Sequence, residues 1–380
     1  MKNNLFFYDC FIVITVTSIT IGMAIPASNV NFNLANPASA ATHSSNQPIH
    51  KTTQQDLQSD INNDEVSQTL EGTVQNNIIY NNSHKNDNNT HNSTPPVIAN
   101  NSEIRAVTVG DISIAYKVFG EGKPIVLISG SGNVMDVWPS FLLQELSKKH
   151  KVVIFDNRGV GNTTSGINPF SIEQFANDTA GLMDALNIQK ADVLGFSMAS
   201  FVAQQLTLTH PEKVDRLVLY GASCGGQEGI PQNPMVVKAL EDFVNNRTTD
   251  VNSFLSVTFP SKWIEHNPNF LESIPKTSEI VPSNTLKKQF EINEKWLSKN
   301  WNGVCNQLTE INNPTLIITG TEDVAIPSSN SLILAEKIQG SWLVQIREAG
   351  HGLMYQFPEK FTKIIETFLE ATKYDKQSKA

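Results

Sequence analysis

Apolar positions along the chain follow two rhythms, and the change from one to the other marks the architecture. Residues 104–109 and 112–118 alternate polar and apolar around Gly110-Asp111, a two-residue turn signal, and predict a β-hairpin. Beyond it the alternation stops. Near-continuous apolar runs stand at 125–129, 152–156, 191–194, 216–220, 315–319 and 342–346. Such runs belong to strands covered on both faces, as in a buried parallel sheet. Stretches with helical periodicity separate them, at 138–150, 171–186, 198–209, 328–337 and 358–372. Ser171 ahead of Glu173-Gln174 reads as an N-cap with acidic support, and Pro358 suits a first helical turn. The pattern predicts an α/β fold: an eight-stranded, mostly parallel sheet with helices on both faces.

The rhythm breaks between the sixth and seventh strands. Residues 227–312 hold no strand-like run, while 235–246, 251–257 and 286–300 carry helical periodicity. Phe243, Phe254, Phe259, Trp263, Trp296 and Trp301 lie on the apolar side. A helical insertion is expected there. Most of these aromatics are expected to pack it onto the body, with one or two facing a pocket.

The first hundred residues follow neither rhythm. Residues 1–41 open on Met1-Lys2-Asn3-Asn4 and an apolar stretch, uncharged from 11 to 25. That length suits an export signal and falls short of the ~18–20 residues that span a bilayer. Ala38-Ser39-Ala40 and Pro26-Ala27-Ser28 are candidate cleavage sites. An uncleaved anchor, attaching the protein to the membrane, is the competing reading. Residues 42–102 are rich in Asn, Ser, Thr and Gln with few large apolar side chains, a composition that cannot offset its ordering entropy. They read as a disordered spacer before one domain at 103–375. The expected location is outside the cytoplasm, either secreted or held at the outer face of the cell membrane.

Charge and cysteine count narrow the classes further. A net charge of −9, with no basic run, argues against a nucleic-acid partner. Three cysteines do not make a disulfide scaffold. Cys224 and Cys305 remain after signal removal, and two unpaired apolar thiols are expected ahead of a bridge. No Cys-x-x-Cys or His-x-x-x-His occurs, so no metal site is expected.

The chemistry concentrates in Gly195-Phe196-Ser197-Met198-Ala199, which joins an apolar strand to an apolar helix. This is the context of a nucleophile elbow: a strained serine at the tip, small residues two before and two after, and the Met198 N–H aimed at a reacting carbonyl oxygen. A serine hydroxyl needs a base in hydrogen-bond reach and an acid to orient that base. His351, in Gly350-His351-Gly352 after the last strand, is the candidate base. Asp323, just past the seventh strand, is the candidate acid; Glu322 is its rival, and Asp192, inside a strand, a weaker one.

Taken together, Ser129-Gly130-Ser131-Gly132, Asp156-Asn157-Arg158-Gly159-Val160-Gly161, the elbow, Gly320-Thr321-Glu322-Asp323 and Gly350-His351-Gly352 resemble the α/β-hydrolase fold superfamily, in its serine-triad esterase, peptidase and C–C hydrolase branch. The likeness runs from about residue 104 to 372. It implies a Ser197–Asp323–His351 triad and an oxyanion hole of the Ser131 and Met198 amides. It implies that the insertion is a lid, and that Gly130, Asn133 and Trp138 shape the substrate pocket. Two departures stand out: Ser129 where relatives carry histidine, and Ala199 where glycine is usual. A serine at the elbow sets the chain apart from members that use aspartate there. The implied activity is hydrolysis of a small or medium carboxylic ester through an acyl-enzyme, without metal or cofactor. C–C bond, amide and perhydrolase chemistry use the same triad, and a ligand-sensing role without turnover is the alternative outside enzymology.

Overall fold

The computed structural model describes residues 13–16, 75–80, 102–245, 251–270 and 281–378. The eight expected strands are present: β3 (Arg105–Val109), β4 (Ile112–Phe119), β5 (Lys123–Ile128), β6 (His150–Phe155), β7 (Ala191–Phe196), β8 (Val214–Tyr220), β9 (Thr315–Gly320) and β10 (Trp342–Ile346). Two further strands precede them, β1 (Val13–Val16) and β2 (Gln75–Tyr80). The sheet order is β1-β2-β10-β9-β8-β7-β5-β6-β4-β3. Pairing is parallel from β2 through to β6 and antiparallel for β1, β4 and β3. The β2 strand falls inside the stretch expected to be a spacer. The remainder of the spacer and nearly all of the expected export signal lie outside the described residues. Among the described residues no helix is long and apolar enough to cross a membrane.

Apolar runs become central strands because successive side chains point to opposite faces and both faces are covered. Along β5, Ile125 and Leu127 join one core cluster, with Leu142, Leu146, Phe361 and Phe368. Val126 and Ile128 join the other, with Phe175, Phe201, Leu206 and Leu334. The helices are α1 (Ser140–Ser147), α2 (Ile172–Ala185), α3 (Met198–Thr209), α4 (Pro234–Asn245), α5 (Val251–Thr258), α6 (Ser261–His266), α7 (Ser283–Leu297), α8 (Ser329–Lys337), α9 (Leu353–Gln356) and α10 (Pro358–Ser378). Ser171 caps α2, its hydroxyl accepting from the Gln174 N–H at 3.0 Å. The first helix starts later than its periodicity suggested, because Pro139 takes an extended ψ and becomes the N-cap.

The insertion is helical as expected, with α6 as an element that the periodicity missed. At six residues it is too short to show a period. Cys224 and Cys305 are bonded, with Cα atoms 5.0 Å apart, so the expectation of two free thiols is corrected. The chain returns from the insertion beside its own point of departure: the Val304 N–H donates to the Cys224 carbonyl at 3.0 Å. That return brings two cysteines 81 positions apart within bonding range, the pairing that the sequence reading placed second.

Candidate active site

Ser197 stands between β7 and α3 with φ 56° and ψ −125°, a backbone conformation strained for a side chain with a Cβ. The turn closes so tightly that a Cβ on Gly195 would lie 2.3 Å from the Ala199 carbonyl oxygen and 2.8 Å from the Ala203 Cβ. Glycine is therefore required two residues before the serine. Ala199 is fully buried, so its methyl fits where glycine is usual. Gly130 meets the serine from the other side: a Cβ there would come within 3.0 Å of the Ser197 Cβ.

The histidine and aspartate meet as the spacing predicted. His351 Nδ1 is 2.8 Å from Asp323 Oδ2, and Asp323 Oδ1 accepts from the Ile326 N–H at 2.9 Å. The Asp323 side chain is fully buried, whereas Glu322 is exposed and takes no part. Asp192 lies at the opposite end of the sheet, bound to Lys123 and Arg216. The loop that carries His351 is held by backbone bonds: Glu322 N–H to Ala349 carbonyl at 2.8 Å, and Gly352 N–H to Thr258 carbonyl at 2.8 Å. Gly221 gives the imidazole its room, since a Cβ there would sit 2.8 Å from His351 Cε1.

Ser197 and His351 line one cavity together with Ser131, Gly132, Asn133 and Met198. It holds about 1280 Å³ of space, part of it open to solvent. The insertion supplies much of its wall. Phe243, Phe254 and Phe259 face it, more than the one or two aromatics expected, and Phe290 joins them. Trp296 turns inward instead and stacks on Phe201 at 5.2 Å between centroids. Two pocket expectations are corrected. Trp138 is buried beneath the site, edge-on to Phe196 at 6.4 Å, because Val137 takes the place facing the cavity. Gly130 supports the serine from behind and does not form the wall. Among the described lining residues the side chains that titrate are His351, Glu294 and Tyr355, with no lysine or arginine. Burial, and then the charge of Glu241, push the Glu294 carboxyl above its ordinary value.

The supporting roles of three residues escaped the sequence reading. Tyr220, at the end of β8, is fully buried and its hydroxyl donates to the His351 carbonyl. Burial holds that phenol well above its ordinary value, so it stays a neutral donor. Asn157 donates to the Ser129 carbonyl at 2.8 Å, and Gln289 of α7 accepts from the Gly132 N–H at 2.8 Å. The one available signal was a hydroxyl at the end of an apolar strand, which must find a partner once buried. Further along the Asn157 loop, Asp156 accepts from Met135 and Asn162 N–H groups, and Arg158 clamps Asp111 and Asp178. That loop therefore braces the turn beside the serine and the start of the domain.

The model of the alpha/beta hydrolase fold family matches residues 123–358, more than half of the chain. The chain belongs to this family. Its relatives are hydrolases. A putative carbamate hydrolase, RutD of Azorhizobium caulinodans, is 24% identical over 261 residues, covering 68% of this chain and 96% of that protein. The 2-hydroxy-6-oxo-2,4-heptadienoate hydrolase of Pseudomonas putida is 26% identical, covering 71% of this chain and 98% of that protein. Among solved structures, Est816, described as an N-acyl homoserine lactone degrading enzyme, has a TM-score of 0.59 at 27% identity, with 70% of this chain and 100% of that one covered. The enol-lactonase of Burkholderia xenovorans LB400, at 24% identity and a TM-score of 0.58, shares the fold. The family match starts at the first central strand and ends where α10 begins, so it spans every residue expected in the site.

Proposed function

We propose that this protein is a serine hydrolase that cleaves an uncharged, small or medium carboxylic ester through an acyl-enzyme. One observation carries the reading: Ser197, on a strained elbow, shares a cavity with the histidine that Asp323 holds. In this mechanism Ser197 Oγ attacks the ester carbonyl as His351 Nε2 takes its proton. Asp323 fixes the tautomer and stabilises the imidazolium. The Met198 and Ser131 amides hold the oxyanion. Collapse breaks the ester C–O bond, and the imidazolium gives its proton to the departing alkoxide. Water then repeats the sequence on the acyl-enzyme, releasing the acid and restoring Ser197.

The wall of the cavity supports an ester over a charged dienoate. The insertion's four phenylalanines, Phe243, Phe254, Phe259 and Phe290, and its Leu286 suit an acyl chain, and Glu294 on the same wall repels a substrate carboxylate. The insertion acts as a lid in this reading, closing over the acyl chain. Turnover of p-nitrophenyl esters and labelling by a fluorophosphonate probe test it. Both are expected from the wild-type protein and neither from Ser197→Ala. Full ester hydrolysis by the alanine protein would refute the mechanism.

We also propose export. The Cys224–Cys305 bridge supports it, since disulfides persist in oxidising compartments. N-terminal sequencing of the mature protein distinguishes cleavage near residue 28 or 40 from an uncleaved anchor that begins at Met1.

A further inference from the structure

The turn after β5 is held at three points, and each holds a different backbone group. Asn157 Nδ2 donates to the Ser129 carbonyl at 2.8 Å. Asn133 Nδ2 donates to the Ser131 carbonyl at 3.2 Å. Gln289 Oε1 accepts from the Gly132 N–H at 2.8 Å and faces the Ser131 hydroxyl at 3.4 Å. None of these contacts uses the Ser131 N–H. Asn157 and Asn133 belong to the body of the domain, whereas Gln289 comes from α7 of the insertion, more than 150 positions away. Three residues earlier on the same helix, Leu286 packs against the turn: its Cδ1 lies 2.8 Å from where a Cβ on Gly132 would be. Gly132 takes φ 71°, so a side chain there would be strained as well as crowded.

Gln289 is fully buried, and this is costly for an amide whose second end is idle. Only its carbonyl can accept from an N–H, so Nε2 faces away, and Nε2 is buried without a partner among the described residues. A methionine or leucine would fill the same volume without that burden. We propose that Gln289 is a positioning residue for the oxyanion hole: it pins the Gly132 amide so that the preceding Ser131 amide is aimed at the developing oxyanion. The hole is then completed only when the helical insertion is seated on the turn, and substrate enclosure and transition-state stabilisation become one event. This inference rests on the serine-hydrolase reading above.

The test uses the full chain with Gln289→Met, Gln289→Glu and Ser197→Ala. Each is measured for p-nitrophenyl ester turnover, for the rate of fluorophosphonate modification and for melting temperature. Gln289→Met removes the acceptor at constant volume. It is expected to lower kcat by about 10- to 100-fold, short of the loss seen when an oxyanion donor itself is removed. KM should stay within about twofold and the melting temperature should match or exceed that of the wild type. Fluorophosphonate modification should slow in parallel, because that reaction also develops charge on an oxygen in the hole. Gln289→Glu keeps an acceptor for the Gly132 N–H and is expected to recover most of kcat above the titration of its carboxyl. A Met variant with wild-type kcat overturns the proposal. So does a Glu variant no better than Met, or a failure of both variants to fold, since each makes Gln289 a packing residue. Ester turnover that survives Ser197→Ala sinks the hydrolase mechanism itself, whatever the Gln289 variants do.

Discussion

Two buried aspartates occupy opposite ends of one sheet, and they do different work. Asp192 lies near the start of β7, its side chain fully buried between Lys123 Nζ at 2.7 Å and Arg216 Nε at 2.8 Å. Asp323 follows the end of β9, equally buried, and faces an imidazole at 2.8 Å. The partners of Asp192 are an ammonium and a guanidinium, and that cluster takes no part in the cavity wall. The partner of Asp323 is an imidazole, the side chain most often used as a general base, and it opens onto the cavity that Ser197 lines. Burial alone therefore does not distinguish a working carboxylate from a structural one. The chemistry of the partner and its access to a cavity do. The location follows a rule of open α/β sheets, whose sites gather at the carboxyl ends of strands.

The strongest way to break this comparison is at the nucleophile. Ser197→Ala should lower kcat for an ester by roughly 10⁵- to 10⁶-fold with the melting temperature almost unchanged. Residual turnover within tenfold of wild type would leave Asp323 and His351 without a reaction to serve. The two aspartates should then part ways. Asp323→Asn is expected to lose about 10⁴-fold in kcat, because the histidine loses its orientation. Asp192→Asn should keep kcat within a few-fold and instead lose about 3 kcal/mol of stability, because a fully buried charged acceptor is lost while Lys123 keeps Asp215 and Arg216 keeps the Leu369 carbonyl. Steady-state kinetics beside urea unfolding would read both, and an exchange of the two phenotypes would overturn the assignment.

Smaller effects sharpen the contrast between chemistry and support. Cys224→Ser with Cys305→Ser should cost about 2–4 kcal/mol, since the bridge restrains a long loop in the unfolded chain. Reductant should destabilise the wild type and leave this double variant unaffected. The least effect is expected at Asp111. The Arg158 guanidinium, and then the Asn168 amide, hold its carboxyl well below the ordinary 3.8. A carboxyl lowered by folding stabilises above its unfolded value, and the benefit fades as pH falls toward the folded one. The melting-temperature gap between wild type and Asp111→Asn should therefore be flat at neutral pH and close below pH 3.8. A gap that widens on acidification would remove Asp111 from this account.

Much of the candidate site was legible before any coordinates, and particular residues show why. Ser197 announces itself because an elbow needs a strand, small flanking residues and a helix within a dozen positions, all local features. Asp323 and His351 are marked by their places just after predicted strands. Trp138 misled, since its nearness to the turn says nothing of which side of the turn it takes. Tyr220 and Gln289 gave almost no signal. A tyrosine ending an apolar run looks like core, and a glutamine inside a polar-rich helix looks like surface. Their partners, the His351 carbonyl and the Gly132 amide, lie 131 and 157 positions away.

By itself the sequence determined eight of the ten described strands, the order of the chemical groups and the existence of a helical insertion, because periodicity and turn chemistry act over a few residues; β1 and β2 escaped it. Only the tertiary structure decided that two cations surround Asp192, that two cysteines meet, and that α7 lays a glutamine on the turn beside the serine. Those outcomes depend on how distant segments pack. Close packing admits one arrangement of side chains among many that the local pattern allows.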